Sequence, residues 1–442
     1  MVDEGRTRPL WSGRFSREAV YAGAFDNAAR RRPGDAQQNS RFKDGLRHSK
    51  ERQLRILHTS DWHIGATLKG QSRMPEQYEV FRELVEITRR ERPDLIVVAG
   101  DLFETAAPSA AAQKLLVRTL SALRETGADV VAVAGNHDHG AAIDALRGWA
   151  DAAGITLRGT IGTATDHLVT GRTAEGETWR CAALPFVSQR YAVRATELFS
   201  LTAAETGQSY TDHLRRLVAA LSASFTPDSV NLVTGHLTVV GGKVGGGERE
   251  AHTVADYAVP ATIFPPTTHY VALGHLHRRQ KVTGGCPIHY SGGPIAVDFG
   301  EESYTPGVLI VDVTASTPAQ VRHVPLTEAV PLRTLRGTLA ELREADPPPN
   351  AWLRVYIKEK SRAGLREEVQ ELFPRALAIQ IDPGMVETRS GERRTSRIGR
   401  TPRQLFGDYL EERGVADDAV TRLFDHLYDR VSTVASAEEE VA

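Results

Sequence analysis

The chain has 442 residues, a formal net charge of −2 and 41% hydrophobic content, enough for two or three domains with real cores. Near-neutral charge argues against a generally basic nucleic-acid binder, so any DNA path is a local patch or is shared with a partner. Two cysteines, Cys181 and Cys286, exclude a disulfide framework and point to a reduced, cytoplasmic protein, and no stretch is apolar enough for a membrane span or a signal peptide.

Residues 1–53 are rich in Arg, Ser, Gly and Asn, with Arg30-Arg31-Arg32-Pro33-Gly34 at the centre and no apolar periodicity. Such a segment buries too little surface to offset its ordering entropy and is read as disordered. A basic DNA-binding arm, a tail without function and a translation start assigned too far upstream stay open. From Leu54 to about Pro325, strands alternate with helices, as a layered α/β domain requires. Arg55–Thr59, Leu95–Ala99, Val130–Ala134, Val230–Thr234 and Tyr270–Leu273 read as buried strands, and Glu76–Arg90 and Ala110–Glu125 carry helical stripes. Cys181–Leu184, Ile288–Ser291 and Val308–Val313 lack long helices between them and suggest a second sheet. Gly241–Gly247, five glycines in seven residues, is a loop that either approaches substrate or is plain surface.

Pro347-Pro348-Pro349 separates a short helix, Leu339–Ala345, from an amphipathic strand, Trp352–Ile357, and Leu365–Phe373 and Ala376–Ile381 complete a small α/β unit. Arg389, Arg393, Arg394, Arg397, Arg400 and Arg403 crowd the sequence beyond it. Clustered Arg neutralises phosphates, and the alternative is a solvated loop. Thr401-Pro402 reads as a helix start and Gly414 as its stop, with Leu405, Phe406, Tyr409 and Leu410 on one face. Asp417 then caps a second helix in which Val420, Leu423, Phe424, Leu427, Tyr428, Val431 and Val434 recur at helical spacing. That stripe suits either a partner or a fold-back on the preceding unit.

The five buried strands each end in a short polar cluster: Asp61-Trp62-His63, Gly100-Asp101, Gly135-Asn136-His137-Asp138, Gly235-His236 and Gly274-His275-Leu276-His277. Loops at the carboxyl ends of parallel strands converge on one edge, so the clusters point to one site. Asp61, His63, Asp101, Asn136, His236, His275 and His277 are seven candidate ligands, too many for one four-coordinate zinc. They suit two ions sharing a carboxylate, and mixed oxygen and imidazole favours manganese, iron or zinc over magnesium or calcium. Two ions about 3.5–4 Å apart hold both flanking oxygens of a phosphoryl group during in-line displacement. Any one cluster alone is commonly a turn or a satisfied polar side chain; an ordered set of five is not.

The order D-x-H, G-D, G-N-H-[DE], H, G-H-x-H resembles the calcineurin-like metallophosphoesterase superfamily. Leu54 to Gly65, Ala99 to Phe103 with Pro108-Ser109, Thr234 to Leu237, Ala272 to Arg278 and Tyr290 to Ile295 resemble the SbcD family in particular, the nuclease subunits of bacterial SbcCD complexes. Gly293 stands where that family more often has Ser. The resemblance runs from about Leu54 to the C-terminus. It implies an α/β/β/α four-layer sandwich over 54–327, a small α/β capping domain over 328–400 and C-terminal partner-binding helices over 401–442. It also implies a metal-dependent DNA nuclease, exonuclease on duplex ends and endonuclease on hairpin or single-stranded DNA, with two divalent ions, manganese first and iron or zinc as alternatives. The implied partner is an SbcC-like ATPase with a coiled coil, in a heterotetramer containing a dimer of this chain. No P-loop pattern occurs here, so ATP dependence falls to the partner.

By the same resemblance, Asp61, His63 and His277 would hold one ion, Asn136, His236 and His275 the other, and Asp101 would bridge them. His137 is the candidate to protonate the leaving oxygen, with Asp138 beside it, and Glu104 stands where phosphatase relatives carry an Asp that orients this histidine. His58 and His139 read as core or supporting histidines. Arg393, Arg394 and Arg397 are the DNA-binding candidates, and Leu423, Phe424 and Leu427 the partner-binding ones. The alternative is a stand-alone phosphoesterase for nucleotides, cyclic nucleotides or phosphoproteins. Against it stand Leu102-Phe103-Glu104 where protein phosphatases carry Asp-Arg-Gly, the capping unit, and Ser291-Gly292-Gly293-Pro294-Ile295.

Overall fold

In chain order the main strands are β1 (Leu54–Thr59), β2 (Leu95–Ala99), β3 (Asp129–Val133), β4 (Ile155–Arg158), β5 (Leu168–Arg172), β6 (Thr178–Leu184), β7 (Val230–His236) and β8 (Tyr270–Gly274). They continue with β9 (Gln280–Val282), β10 (Ile288–Tyr290), β11 (Gly307–Val313), β12 (Gln320–Pro325), β13 (Leu332–Gly337), β14 (Trp352–Ile357) and β15 (Ala376–Ile381). The main helices are α1 (Met74–Glu91), α2 (Ala110–Arg124), α3 (Ala203–Ser222), α4 (Leu339–Arg343), α5 (Leu365–Leu372) and α6 (Pro402–Glu412). This computed structural model describes residues 53–188, 203–248, 258–385, 402–412 and 419–425. The extension over 1–52, the arginines from Arg389 to Arg400, Thr401, Gly414, Asp417, Leu427, Tyr428, Val431 and Val434 lie outside the described residues.

One sheet has the order β12-β11-β1-β2-β3-β4 and the other β9-β10-β8-β7-β6-β5. Both have parallel centres: β1 pairs with β2 and β2 with β3, β6 pairs with β7 and β7 with β8. The strands are continuous apolar runs because both faces are covered. Along β1 and β2, Leu54, Ile56, Leu95 and Val97 point between the sheets, against Trp179, Cys181, Val230, Leu232 and Tyr270 of the other. The alternate residues, Leu57, Ile96 and Val98, pack under Val80, Phe81, Leu84, Leu116 and Leu120 of α1 and α2. Tyr210, Leu214 and Val218 of α3 cover the outer face of the second sheet. Two sheets face to face, each with a helical layer outside, make the α/β/β/α sandwich. Burying about ten large apolar side chains between the sheets, at roughly 1.5–3 kcal/mol each, is an ample force for holding them together.

Two features depart from the sequence expectation: the 20-residue helix α3 falls between Cys181–Leu184 and Ile288–Tyr290, where no long helix is expected, and one strand changes sheet. Val308–Val313 lies in the first sheet, as β11, paired antiparallel with β1 in the register Leu54↔Val313. An antiparallel neighbour needs no crossover helix, so the lack of helices before it does not signal a new sheet. Cys181–Leu184 and Ile288–Tyr290 do fall in the second sheet.

Helix α1 has Pro75 in its first turn, Glu76 nearby, Arg89 and Arg90 in its last turn, and stops at Arg92, which is left-handed at φ 49°. The small unit that follows has three parallel strands, β13-β14-β15. Leu353, Val355 and Ile357 on one face pack on Leu342, Leu365 and Val369 of α4 and α5. The start of this sheet, at Leu332, rests on Leu68, Ala296 and Phe299 of the sandwich. A division into contact units falls after Asp382. Within the C-terminal unit, α6 and the helical residues 419–425 meet through Phe406 and Phe424, whose rings stack at 3.9 Å between centroids.

Candidate metal centre

The carboxyl ends of β1, β2 and β3 are adjacent in one sheet and deliver Asp61 and His63, Asp101, and Asn136 with His137. The ends of β7 and β8 are adjacent in the other, with Gly274 in register with His236, and deliver His236, His275 and His277. His236 is the last residue of its strand rather than beyond it. The glycines in these clusters let the two sheet edges close. A β-carbon on Gly274 would collide with the Ala99 carbonyl, and one on Gly100 would collide with the His236 ring. The backbone is bent hard here as well. Of six non-glycine residues at positive φ among the described residues, four are candidate ligands: Asp61, His63, Asp101 and His275. Left-handed backbone at non-glycine residues stores strain that the surrounding structure must hold in place.

Two groups of inward atoms result. Asp61, His63, Asp101 and His277, all buried, bring one ligand atom each within 4.8 Å of one another. His63 Nε2 and His277 Nε2 face each other at 3.1 Å. In the second group, Asn136 Oδ1 is 2.9 Å from His236 Nε2 and 2.8 Å from His275 Nδ1. Asp101 Oδ2 lies 3.3 Å from His236 Nε2 and 3.7 Å from His63 Nε2, so one oxygen touches both groups. Its other oxygen accepts from the His137 amide at 2.8 Å.

The far nitrogens of the imidazoles are anchored. His236 Nδ1 lies 2.8 Å from the Ala99 carbonyl, His277 Nδ1 2.7 Å from Glu301 Oε1, and His63 Nδ1 3.0 Å from Glu104 Oε2. For His236 and His277 a hydrogen-bond acceptor at Nδ1 fixes the proton there and leaves Nε2 pointing inward, whereas Glu104 stands beside His63 as a neighbouring charge without a hydrogen bond. The inward Nε2 atoms of His63 and His277 stand 3.1 Å apart, a separation that needs a proton or a cation between them. Electrostatics agree. Burial pushes His277 down, but the Glu301 charge and hydrogen bond outweigh it and raise the imidazole to about 10. His236 is likewise raised to about 9, burial being overcome by Asp101. Burial would raise Asp101, yet His236, His63 and His137 hold it well below the usual carboxylate range. A buried pocket that traps positive charge, lined by convergent imidazole, carboxylate and amide donors, fits divalent transition-metal ions.

His137 is 6% exposed, its ring edge-on to His63 at 4.7 Å. Its Nδ1 is 2.8 Å from the main-chain carbonyl of Glu104. The Glu104 carboxylate lies on His63 instead, because its longer arm carries it past His137. His63, Glu104 and His137 also bring ligand atoms within 4.8 Å. Asp138 points away from the reacting groups: its carboxylate accepts from the amides of Leu102, Phe103 and Gly135 at 2.8–3.0 Å. Burial, then the Asp101 charge, raises it to about 6. It ties the β2 and β3 loops together. His58 is fully buried, between Tyr270 Oη at 2.9 Å and the Leu273 carbonyl at 3.1 Å. His139 is no core residue: it is exposed and caps the short helix Gly140–Ala145. Sequence reading missed Glu301 and Glu248. Glu248 accepts from the His277 amide at 3.0 Å and from Gly245 and Gly246, which folds the glycine loop against the site. For Glu248 the available signal was a carboxylate closing a glycine-rich stretch; Glu301 offered none. The Arg403 side chain lies outside the described residues, Leu423 is 57% exposed, and Phe424 packs on Phe406.

An α/β/β/α sandwich with a buried carboxylate-imidazole centre at its joined sheet edges defines a metallophosphoesterase. The calcineurin-like phosphoesterase family model matches residues 54–279, and the model described as type 5 capsule protein repressor C-terminal domain matches residues 328–413. The SbcD subunit of the SbcCD nuclease of Bacillus subtilis (strain 168) is 34% identical over 323 residues, 71% of this chain and 81% of that protein. The SbcD subunit of Rhodobacter capsulatus is 36% identical over 298 residues, covering 64% and 71%, and that of Escherichia coli (strain K12) is 27% identical over 412 residues, covering 88% and 100%. The chain belongs to the SbcD family of calcineurin-like phosphoesterases.

Proposed function

We propose that this chain is the metal-dependent nuclease subunit of an ATP-driven DNA-processing complex, degrading duplex ends and opening hairpin or single-stranded DNA. The observation that carries the chemistry is Asp101 Oδ2, within 3.3 Å of His236 Nε2 and 3.7 Å of His63 Nε2: one carboxylate oxygen shared by two ligand groups. Asp61, His63 and His277 would hold one ion, and Asn136, His236 and His275 the other, with manganese as the native metal. When bound, two divalent cations supply Lewis acidity toward the phosphoryl oxygens and toward an attacking water.

The chain's own groups do the rest. His137 keeps a proton on Nδ1, held by the Glu104 carbonyl, so Nε2 is the nitrogen that exchanges protons with substrate and can protonate the leaving 3′ or 5′ oxygen. Asp138 keeps the loop bearing His137 against Leu102 and Phe103. The partner is a coiled-coil ATPase of the SbcC kind, reached through the C-terminal helices, in a cytoplasmic heterotetramer. Leu423, exposed beside the Phe406–Phe424 stack, is the best anchor there, and the arginines at 393, 394 and 397 would meet DNA phosphates. No described helix is long and apolar enough to cross a membrane.

The test uses the purified chain, alone and with its co-expressed ATPase, plus Mn2+ and ATP. Substrates are a labelled hairpin, a blunt duplex and a small chromogenic phosphodiester. Cleavage of both DNAs supports the proposal. Hydrolysis of the small diester with neither DNA cut in either preparation overturns it in favour of a stand-alone phosphoesterase.

A further inference from the structure

Gln77 is fully buried on α1, within the apolar stripe that packs under the first sheet. A buried primary amide requires partners for two N–H groups and one oxygen, and this one has all three. Its Nε2 donates to the carbonyl of His63 at 2.7 Å and to that of Trp62 at 3.2 Å, and its Oε1 accepts from the Gly65 amide at 3.0 Å. The amide cannot be flipped without setting oxygen against two carbonyls. Every contact falls on the turn that carries His63.

That turn needs holding. His63 sits at φ 45° and Asp61 at φ 54°. One side of the turn is zipped to the β2 loop by Asp61 N to Gly100 O, His63 N to Asp101 O and Ile64 N to Leu102 O, at 3.0–3.1 Å. Gln77 supplies the other side. The helical turn bearing it is itself fixed: Arg73, 1% exposed, binds Glu76 bidentately at 2.6 and 2.7 Å and donates to the Ala296 carbonyl at 2.7 Å. Glu76 also accepts from the Val330 amide at 2.9 Å.

We propose that Gln77 is a positioning residue for the metal centre, clamping the strained Trp62–Gly65 turn so that His63 Nε2 stays aimed at His277. The proposal rests on the reading of His63 as a metal ligand, and its test includes a readout that needs no metal.

The variants are Gln77→Met, which keeps the length and removes all three bonds, and Gln77→Glu, which keeps an acceptor for Gly65 and loses the donors. Hydrogen exchange on the metal-free full chain reads the turn directly. Amides in 62–66 should exchange about 5-fold faster or more in Q77M, one ordinary hydrogen bond being worth that factor. Calorimetric titration with Mn2+ should show binding weakened by about 10-fold or more. Leu120→Ala, a core change on α2, controls for general destabilisation and should leave both readouts at 62–66 and in the titration near wild type. Unchanged exchange at 62–66, or wild-type Mn2+ affinity, in either folded variant overturns the proposal. If wild type binds Mn2+ yet cuts no DNA, the nuclease reading fails while the clamp is still judged by exchange and titration.

Discussion

His63 and His277, 214 residues apart, turn Nε2 toward Nε2 at 3.1 Å in a buried setting. Each is held from behind by a carboxylate, Glu104 for His63 and Glu301 for His277. Neither ring can rotate away without giving up that partner, so the two inward nitrogens share a proton in the metal-free chain and a cation takes that place when bound.

Asp101→Asn should bind fewer than two Mn2+ per chain and lose hairpin cleavage by more than about 100-fold. The amide removes the charge that lets Oδ2 serve both ligand groups. Metal analysis after desalting and a gel-based cleavage assay check this, and full activity at matched metal would refute it.

His137→Ala should retain its metal content and lose about 10²–10⁴-fold in turnover. The reason is the anchored Nδ1 on the Glu104 carbonyl, which leaves Nε2 as the exchanging nitrogen. A variant that has lost an ion would make His137 a ligand instead.

Glu301→Ala should weaken Mn2+ binding by about 10–100-fold, because His277 loses the acceptor that fixes its tautomer. Glu301→Gln, which retains an acceptor oxygen without charge, should fall between. Calorimetry on all three proteins decides it; equal affinities would show that the Glu301 contact is incidental.

His58 contributes stability that is lost as pH drops below 6.5. Burial depresses its imidazole from 6.5 to about 3. Between those values the unfolded chain binds the proton and the folded chain does not, so stability rises with pH across that window. From pH 7.5 to pH 5 the single group accounts for about 2 kcal/mol. Asp138, raised to about 6, and His236 and His277, raised to about 9 and about 10, work in the opposite direction, so the comparison is with His58→Gln, which retains all three. Urea unfolding of metal-free protein at both pH values should show the change on acidification to be about 2 kcal/mol less favourable in the wild type than in H58Q; equal changes would sink the assignment.

Leu423→Ser should weaken the complex with the ATPase by about 10-fold or more without changing the circular dichroism spectrum, since the side chain is 57% exposed. Phe424→Ser should both weaken the complex and unpack the helix pair, because its ring stacks on Phe406. Wild-type affinity in L423S, measured by calorimetry, would place the interface elsewhere.

Several residues gained their roles only once the chain was folded. Glu301 lies 24 residues beyond His277 in a 3-10 turn, and nothing local marks it as that histidine's partner. Gln77 is one of many polar positions along a helix, and the resemblance placed Glu104 at the position of a partner for His137. In each case the deciding quantity is a distance of about 3 Å between segments with no fixed spacing in sequence. The place of β11 was hidden for a related reason. An apolar run encodes burial on both faces, but which strand it pairs with depends on edge competition across the whole sheet.

The sequence by itself determined the buried strands, the helices between them and the polar clusters at the strand ends, because apolar periodicity and glycine-bounded loops are local properties. It also determined which residue types meet, and hence that the centre takes metal. Only the tertiary structure decided how they meet: two sheets closing edge to edge at Gly100 and Gly274, Asp101 Oδ2 standing between two ligand groups, and carboxylates and a buried amide gripping the ligands from behind. Those arrangements come from packing contacts between residues up to 214 positions apart, and no window along the chain contains them.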